Sequence, residues 1–276
     1  MSRPAGLLDG PFAGLSAGPL TDPLRPFSSP TPRHVMLRLF RNWHIRKLLR
    51  EELTPQQLQW LNERISIRAR LRPEQLRRHE GIVRVMIARC PWEGCEGLEI
   101  TDEMRTLIAG HAAVMLLGAD NYYFDSVSAI LVFPGVIQRK DGEDPMTLGE
   151  AWSNGGIVLS WPEVRATTYH RGARNVVIHE FAHHLDGLDG EMGGSIPFRG
   201  TEDQRRWHEI SSREYERLVE DVRRDQPTVL DPYGATNPAE FFAVASECFF
   251  ERPDRLRSHH AELFEWLGRF YGFDPS

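Results

Sequence analysis

The sequence predicts an α+β fold, mostly helical with a small mixed sheet. Beyond residue 32, helix-period runs lie on either side of two short strand-like runs, and no segment repeats. The 276 residues suffice for one large domain or two small ones, with a sizeable core. A hydrophobic fraction of 41% and a charged fraction of 26% are ordinary for a globular protein. The net charge of −6 argues against a chain built to coat nucleic acid. Cys90, Cys95 and Cys248 are too few for a disulfide framework, so reduced thiols are expected. No stretch approaches the roughly 18 apolar residues of a membrane span, and residues 1–32 lack a secretory apolar region. A cytoplasmic location is the expectation.

Residues 1–32 carry Pro4, Pro11, Pro19, Pro23, Pro26, Pro30 and Pro32, a density incompatible with a helix or a central strand. They read as a mobile tail, and residues 33–276 as a single domain. From Arg33 to Arg50, Leu37, Phe40, Ile45, Leu48 and Leu49 recur at helical spacing between basic residues. That pattern suits an amphipathic helix packed on its own domain more than a membrane or phosphate anchor. Helices near 55–70 and 73–89 start on Pro55 and Pro73, which tolerate the first helical position. Another, Asp102 to Leu117, opens after Thr101. Ala129 to Phe133 and Gly156 to Trp161 read as strands, the second either bordering a cleft or an ordinary sheet strand. Helices over 173–186, 202–224, 238–251 and 260–270 complete the chain.

The chemistry concentrates in the run from Asn175 to Asp186, where His179, Glu180 and His183 form H-E-x-x-H. Four residues along a helix place two side chains about 40° apart in azimuth and about 6 Å apart axially. Two imidazoles on one face can therefore share one tetrahedral metal. Glu180, about 100° round from His179, is placed for the metal's water rather than the metal. Bound zinc brings that water's pKa to about 7, and a carboxylate beside it accepts the proton. Val176, Val177, Ile178, Phe181, Ala182 and Leu185 make the helix apolar around much of its girth, so it is expected to be buried. His184 points away from the ligand face. Two histidines are an incomplete site, and the third ligand is open among Asp186, Asp189, Glu240 and Glu247. Asp186, one turn beyond His183, suits a role orienting a ligand.

The second informative run is Asp231 to Phe250. Asn237 is an N-cap with Pro238 the first helical residue, so Glu240 falls where a capping-box residue sits. The helix is otherwise apolar nearly all round, and Glu240 and Glu247 form one acidic stripe on it. A cation facing that stripe is the economical explanation.

With these two runs, from Asn175 to Asp186 and from Tyr233 to Ala243, the sequence resembles the Mlc titration factor A family of zinc peptidases. Gly97–Thr101, Ile130–Pro134, Gly156–Trp161 and Phe270–Pro275 support the resemblance, which covers roughly residues 35–275. It implies a zincin-like metallopeptidase fold related to the anthrax lethal factor catalytic domain. It also implies one zinc per chain on His179, His183 and Glu240, Glu180 as base, and Tyr233 as hydrogen-bond donor to the transition state. Glu247 then falls beside the ligands rather than among them. The implied activity is hydrolysis of short peptides, of aminopeptidase type. The family's association with a glucose repressor adds a transcriptional regulator as a candidate partner. It also adds an alternative function, regulatory binding on a zinc scaffold. Asp189 remains a competitor, ten residues after His179. The turn it would need wants glycine seven residues after that histidine, where this chain has Asp186.

Overall fold

The computed structural model describes residues 43–119, 122–135, 155–169, 174–189, 194 and 201–275. The expected tail, 1–32, lies outside them, as does the expected basic helix up to residue 42. The chain divides into two compact units, 1–43 and 44–276, and every helix and strand from Pro55 onward belongs to the second. Residues 44–48 are helical and bury Ile45 and Leu48, as the amphipathic reading anticipates.

Helix α1, Pro55–Arg64, is closed at its start by a capping box. Thr54 Oγ1 accepts from Gln57 N at 3.2 Å, while Gln57 Oε1 accepts from Thr54 N at 3.0 Å. A 3-10 turn, Ser66–Arg70, separates it from α2, Pro73–Arg89. Strand β1, Trp92–Gly94, escaped the sequence reading because three residues are too short to show a period. Helix α3, Asp102–Ala113, begins where Thr101 predicted it, with Thr101 Oγ1 accepting from Met104 N at 3.2 Å. A 3-10 turn, Val114–Leu116, finishes the apolar run.

Strands β2, Ala129–Phe133, and β3, Gly156–Ser160, follow. Among the described residues the sheet has order β1-β2-β3 and both pairings are parallel, so the mixed sheet expected from sequence is here a parallel one. For β1 and β2 the reason is topological: α3 lies between them and returns the chain to the same end. Strand β3 is buried at all five positions, which suits a strand covered on its faces.

Helix α4, Trp161–Tyr169, was not foreseen, since Thr167, Thr168 and Tyr169 are weak helix formers. Helix α5, Val176–Asp186, carries the H-E-x-x-H run and packs against β3, α3 and α4. Helix α6, Thr201–Arg223, leads to a 3-10 turn, Pro232–Ala235, and then to α7, Pro238–Glu251. Among the described residues the most extensive helix pairing is α5 with α7, and α7 is buried from Glu240 to Phe250. Helices α8, Pro253–His259, and α9, Ala261–Tyr271, close the chain. Gly272, in the left-handed region at φ 59°, ends α9. Beside it, the buried Tyr271 hydroxyl donates to Ser246 Oγ of α7 at 2.7 Å. The run Phe270–Pro275 thus fastens the C-terminal segment to the helix that carries Glu240.

Candidate metal centre

Each half of the site is positioned by an asparagine cap. Asn175 Oδ1 accepts from Ile178 N at 3.1 Å and starts α5. Asn237 Oδ1 accepts from Glu240 N at 2.9 Å and starts α7. The Glu240 carboxylate does not close a capping box; it turns to the histidines. Its Oε2 lies 3.0 Å from His179 Nε2 and 3.4 Å from His183 Nε2, and the two Nε2 atoms are 3.2 Å apart. Among the described residues these three side chains, all buried, form the one group whose donor atoms gather closely enough for a metal. Tetrahedral coordination with bonds of about 2.0–2.1 Å sets donor atoms about 3.3 Å apart, so the trio fits a zinc-sized ion.

The tautomers fit as well. His179 Nδ1 lies 2.7 Å from Glu247 Oε1, so this nitrogen donates and Nε2 presents its lone pair to the trio. The other oxygen of Glu247, Oε2, accepts from the backbone N–H of Asn175 at 2.6 Å. Burial by itself would depress His179, but its hydrogen bonds to Glu240 and Glu247 outweigh burial and lift the imidazole to about 9. For Glu240 burial works upward, yet the two histidines hold the carboxylate well below its ordinary range. Both shifts say the same thing: buried negative charge here calls for a cation, a proton on His179 or a metal ion.

Glu180 is buried on the same helix, next to His179 in sequence. Tyr233 sits in the 3-10 turn before α7, held by Asp231 Oδ1, which accepts from Tyr233 N at 2.9 Å. Its hydroxyl donates to Glu240 Oε1 at 3.3 Å, and its ring centroid is 6.1 Å from that of His179. Asp186 is fully buried and its Oδ2 accepts from Gly194 N at 2.9 Å. That contact ties the end of α5 to a glycine at φ 70°, where a Cβ would come within 2.6 Å of the Pro238 carbonyl. Trp207 Nε1 donates to the Gly194 carbonyl at 3.0 Å, so the segment is held from both sides. His184 faces away, toward Tyr122 and Ser126. Asp189 ends the 3-10 turn Gly187–Asp189, and its side chain lies outside the described residues.

Sequence reasoning passed over four neighbours. Asn175 Nδ2 donates to Glu251 Oε1 at 2.5 Å and to His111 Nδ1 at 3.0 Å, making this one residue the hub of a buried network. Its position before an apolar helix was a readable cap signal; its side-chain partners were not. Arg174 lies beside His179 and Tyr233, with nothing in the sequence to mark it. Glu251 continues the acidic stripe of α7 one turn past Glu247 and was legible to that extent.

A family model described as glucose-regulated metallo-peptidase M90 matches residues 40–272. The chain is 33% identical over 246 residues to an uncharacterized protein of Synechocystis sp. (strain PCC 6803), covering 85% of this chain and 90% of that protein. It is 30% identical over 192 residues to Mlc titration factor A of Serratia proteamaculans, covering 65% and 73%. Over 190 residues it is 30% identical to Mlc titration factor A of Pectobacterium atrosepticum, covering 64% and 71%.

Proposed function

Because the chain belongs to the glucose-regulated metallo-peptidase family M90, that of the Mlc titration factor A proteins, we propose that it is a zinc-dependent peptidase acting on short peptides, of aminopeptidase type. The observation that carries this reading is the convergence of His179 Nε2, His183 Nε2 and Glu240 Oε2 beside Glu180. One zinc per chain on those atoms would polarise the scissile carbonyl and acidify a water. Glu180 takes the proton from that water as it attacks and passes it to the leaving amine. Tyr233 donates to the oxygen on which charge develops. Glu247 holds His179 through Nδ1, and Asp186 acts at one remove, through the Gly194 segment.

The test pairs two variants. Glu180→Gln should keep zinc and lose most peptide cleavage, because an amide cannot accept the proton. Changing His179 and His183 together to Ala should abolish zinc binding, read by metal analysis. Unimpaired cleavage by the Gln variant, or full zinc in the double variant, contradicts the reading. The name of the two titration-factor relatives supports a second role, capture of an Mlc-type transcriptional regulator on the zinc scaffold. Glu180→Gln separates the two, since a scaffold needs no base.

A further inference from the structure

We propose that Arg174 is a second donor to the oxygen of the reacting carbonyl, acting beside Tyr233, an assignment that rests on the peptidase reading above. Arg174 precedes the cap residue Asn175 and is exposed. Its Nη2 lies 3.4 Å from His179 Nε2, one of the three donor atoms. Its guanidinium carbon is 4.8 Å from the centroid of the Tyr233 ring, a stacking distance. Guanidinium, phenol and donor trio therefore form one continuous surface. The base of the side chain is fixed, because the Arg174 carbonyl accepts from Thr167 Oγ1 of α4 at 3.0 Å.

The guanidinium has no carboxylate partner among the described residues. Arg68, Arg213 and Arg257, by contrast, pair with Glu80, Glu262 and Asp274. Nor do its acidic neighbours take it. Arg174, Glu247 and Glu251 line one cavity of about 230 Å³, but Glu247 binds His179 and Asn175, and Glu251 binds Asn175. With those carboxylates engaged elsewhere, the guanidinium charge remains available to an anion held at the trio, and the reacting carbonyl supplies one. As the water oxygen bonds to carbon, the carbonyl π pair moves onto its oxygen and the water's proton passes to Glu180. When the carbon–nitrogen bond breaks, its electron pair leaves on nitrogen, Glu180 returns the proton there, and the oxygen loses its charge. Arg174 and Tyr233 bind most strongly in the interval between, which is where a donor raises rate rather than affinity for substrate.

The experiment uses zinc-loaded full-length parent, Arg174→Ala and Arg174→Lys. It measures kcat and KM on one short peptide in free-acid and C-terminally amidated forms, and the affinity of a phosphinic peptide, a tetrahedral isostere. Arg174→Ala should lose about 100–1,000-fold in kcat, equally on both forms, and a similar factor in phosphinic affinity. KM should change little, and Lys should restore part of the loss. Zinc content and melting temperature should match the parent in both variants. A loss confined to KM on the free acid would instead make Arg174 a terminal-carboxylate binder and overturn the assignment, as would unchanged kcat. The phosphinic arm needs no turnover: equal affinity in parent and Arg174→Ala overturns it even if the parent cleaves nothing, an outcome that would separately sink the peptidase reading.

Discussion

The two oxygens of Glu247 have separate duties: Oε1 takes the Nδ1–H of His179, and Oε2 takes the backbone N–H of Asn175. A glutamine at this position has one accepting oxygen and an amide that can only donate, so one contact must fail. Orienting partners of metal-bound histidines are typically worth 10–100-fold in metal affinity. Glu247→Gln should therefore weaken zinc binding about 10-fold and Glu247→Ala about 100-fold, read by competition with a chromophoric chelator. Unchanged affinity in both would show that the Nδ1 contact does not orient the ring. That Glu247 and Glu240 share a stripe is written in their spacing. Which of them meets Nε2 and which Nδ1 depends on where α5 lies across α7, and no spacing contains that.

Helices α5 and α7 both begin on an asparagine cap, yet the caps differ in environment. Asn237 is exposed, while Asn175 is fully buried and donates to Glu251 and His111. Asp is as good a cap as Asn, and favours the positive end of the helix dipole. Asn237→Asp should therefore change stability by less than about 1 kcal/mol. Asn175→Asp keeps the contact to Ile178 N but sets a second buried carboxylate against Glu251, whose acid burial already pushes upward. Leaving a buried charge uncompensated costs about 3–5 kcal/mol, so that variant should melt well below the other. Equal melting shifts in the two would contradict the hub role assigned to Asn175.

Among the described residues, neutral histidines that are buried or half-buried dominate the response to acid. His79 accepts from Arg68 Nη1 at its Nδ1, 2.8 Å, and donates from Nε2 to the Gly110 carbonyl, 2.9 Å, tying the turn after α1 to α2 and α3. Burial, aided by Arg68, pushes it down to about 3, and burial holds His111 and His184 near 4. Each takes up its proton near 6.5 when unfolded but not until pH 3–4 when folded. Each therefore withdraws stability as pH falls below 6.5. In chelator-treated protein His179 runs the other way: lifted to about 9, it adds stability that is complete below 6.5 and lost as pH rises through 9. Glu251, whose pKa burial raises, also adds stability on acidification, so three groups stand against two and leave a net loss, on the order of a few kcal/mol by pH 5. Urea unfolding of chelated protein at pH 7 and pH 5 measures it, and equal midpoints would contradict it.

The helices that carry the site announced themselves because their signals are local. Thr101, Asn237 and Pro238 mark where helices start, and the apolar girth of 176–185 and 241–250 marks burial. Local too is the spacing that puts His179 and His183 on one face, since helix geometry converts separation into direction. Strand β1 and helix α4 went unread because three residues show no period and weak helix formers show no preference, so packing alone decided them. The convergence of Glu240 on the two histidines, the seat of Arg174 against Tyr233, and the Asn175 hub join residues up to 76 positions apart. Sequence fixes what each side chain can donate or accept. Only the crossing of α5 on α7, a matter of shape between two buried faces, decides which of those groups meet.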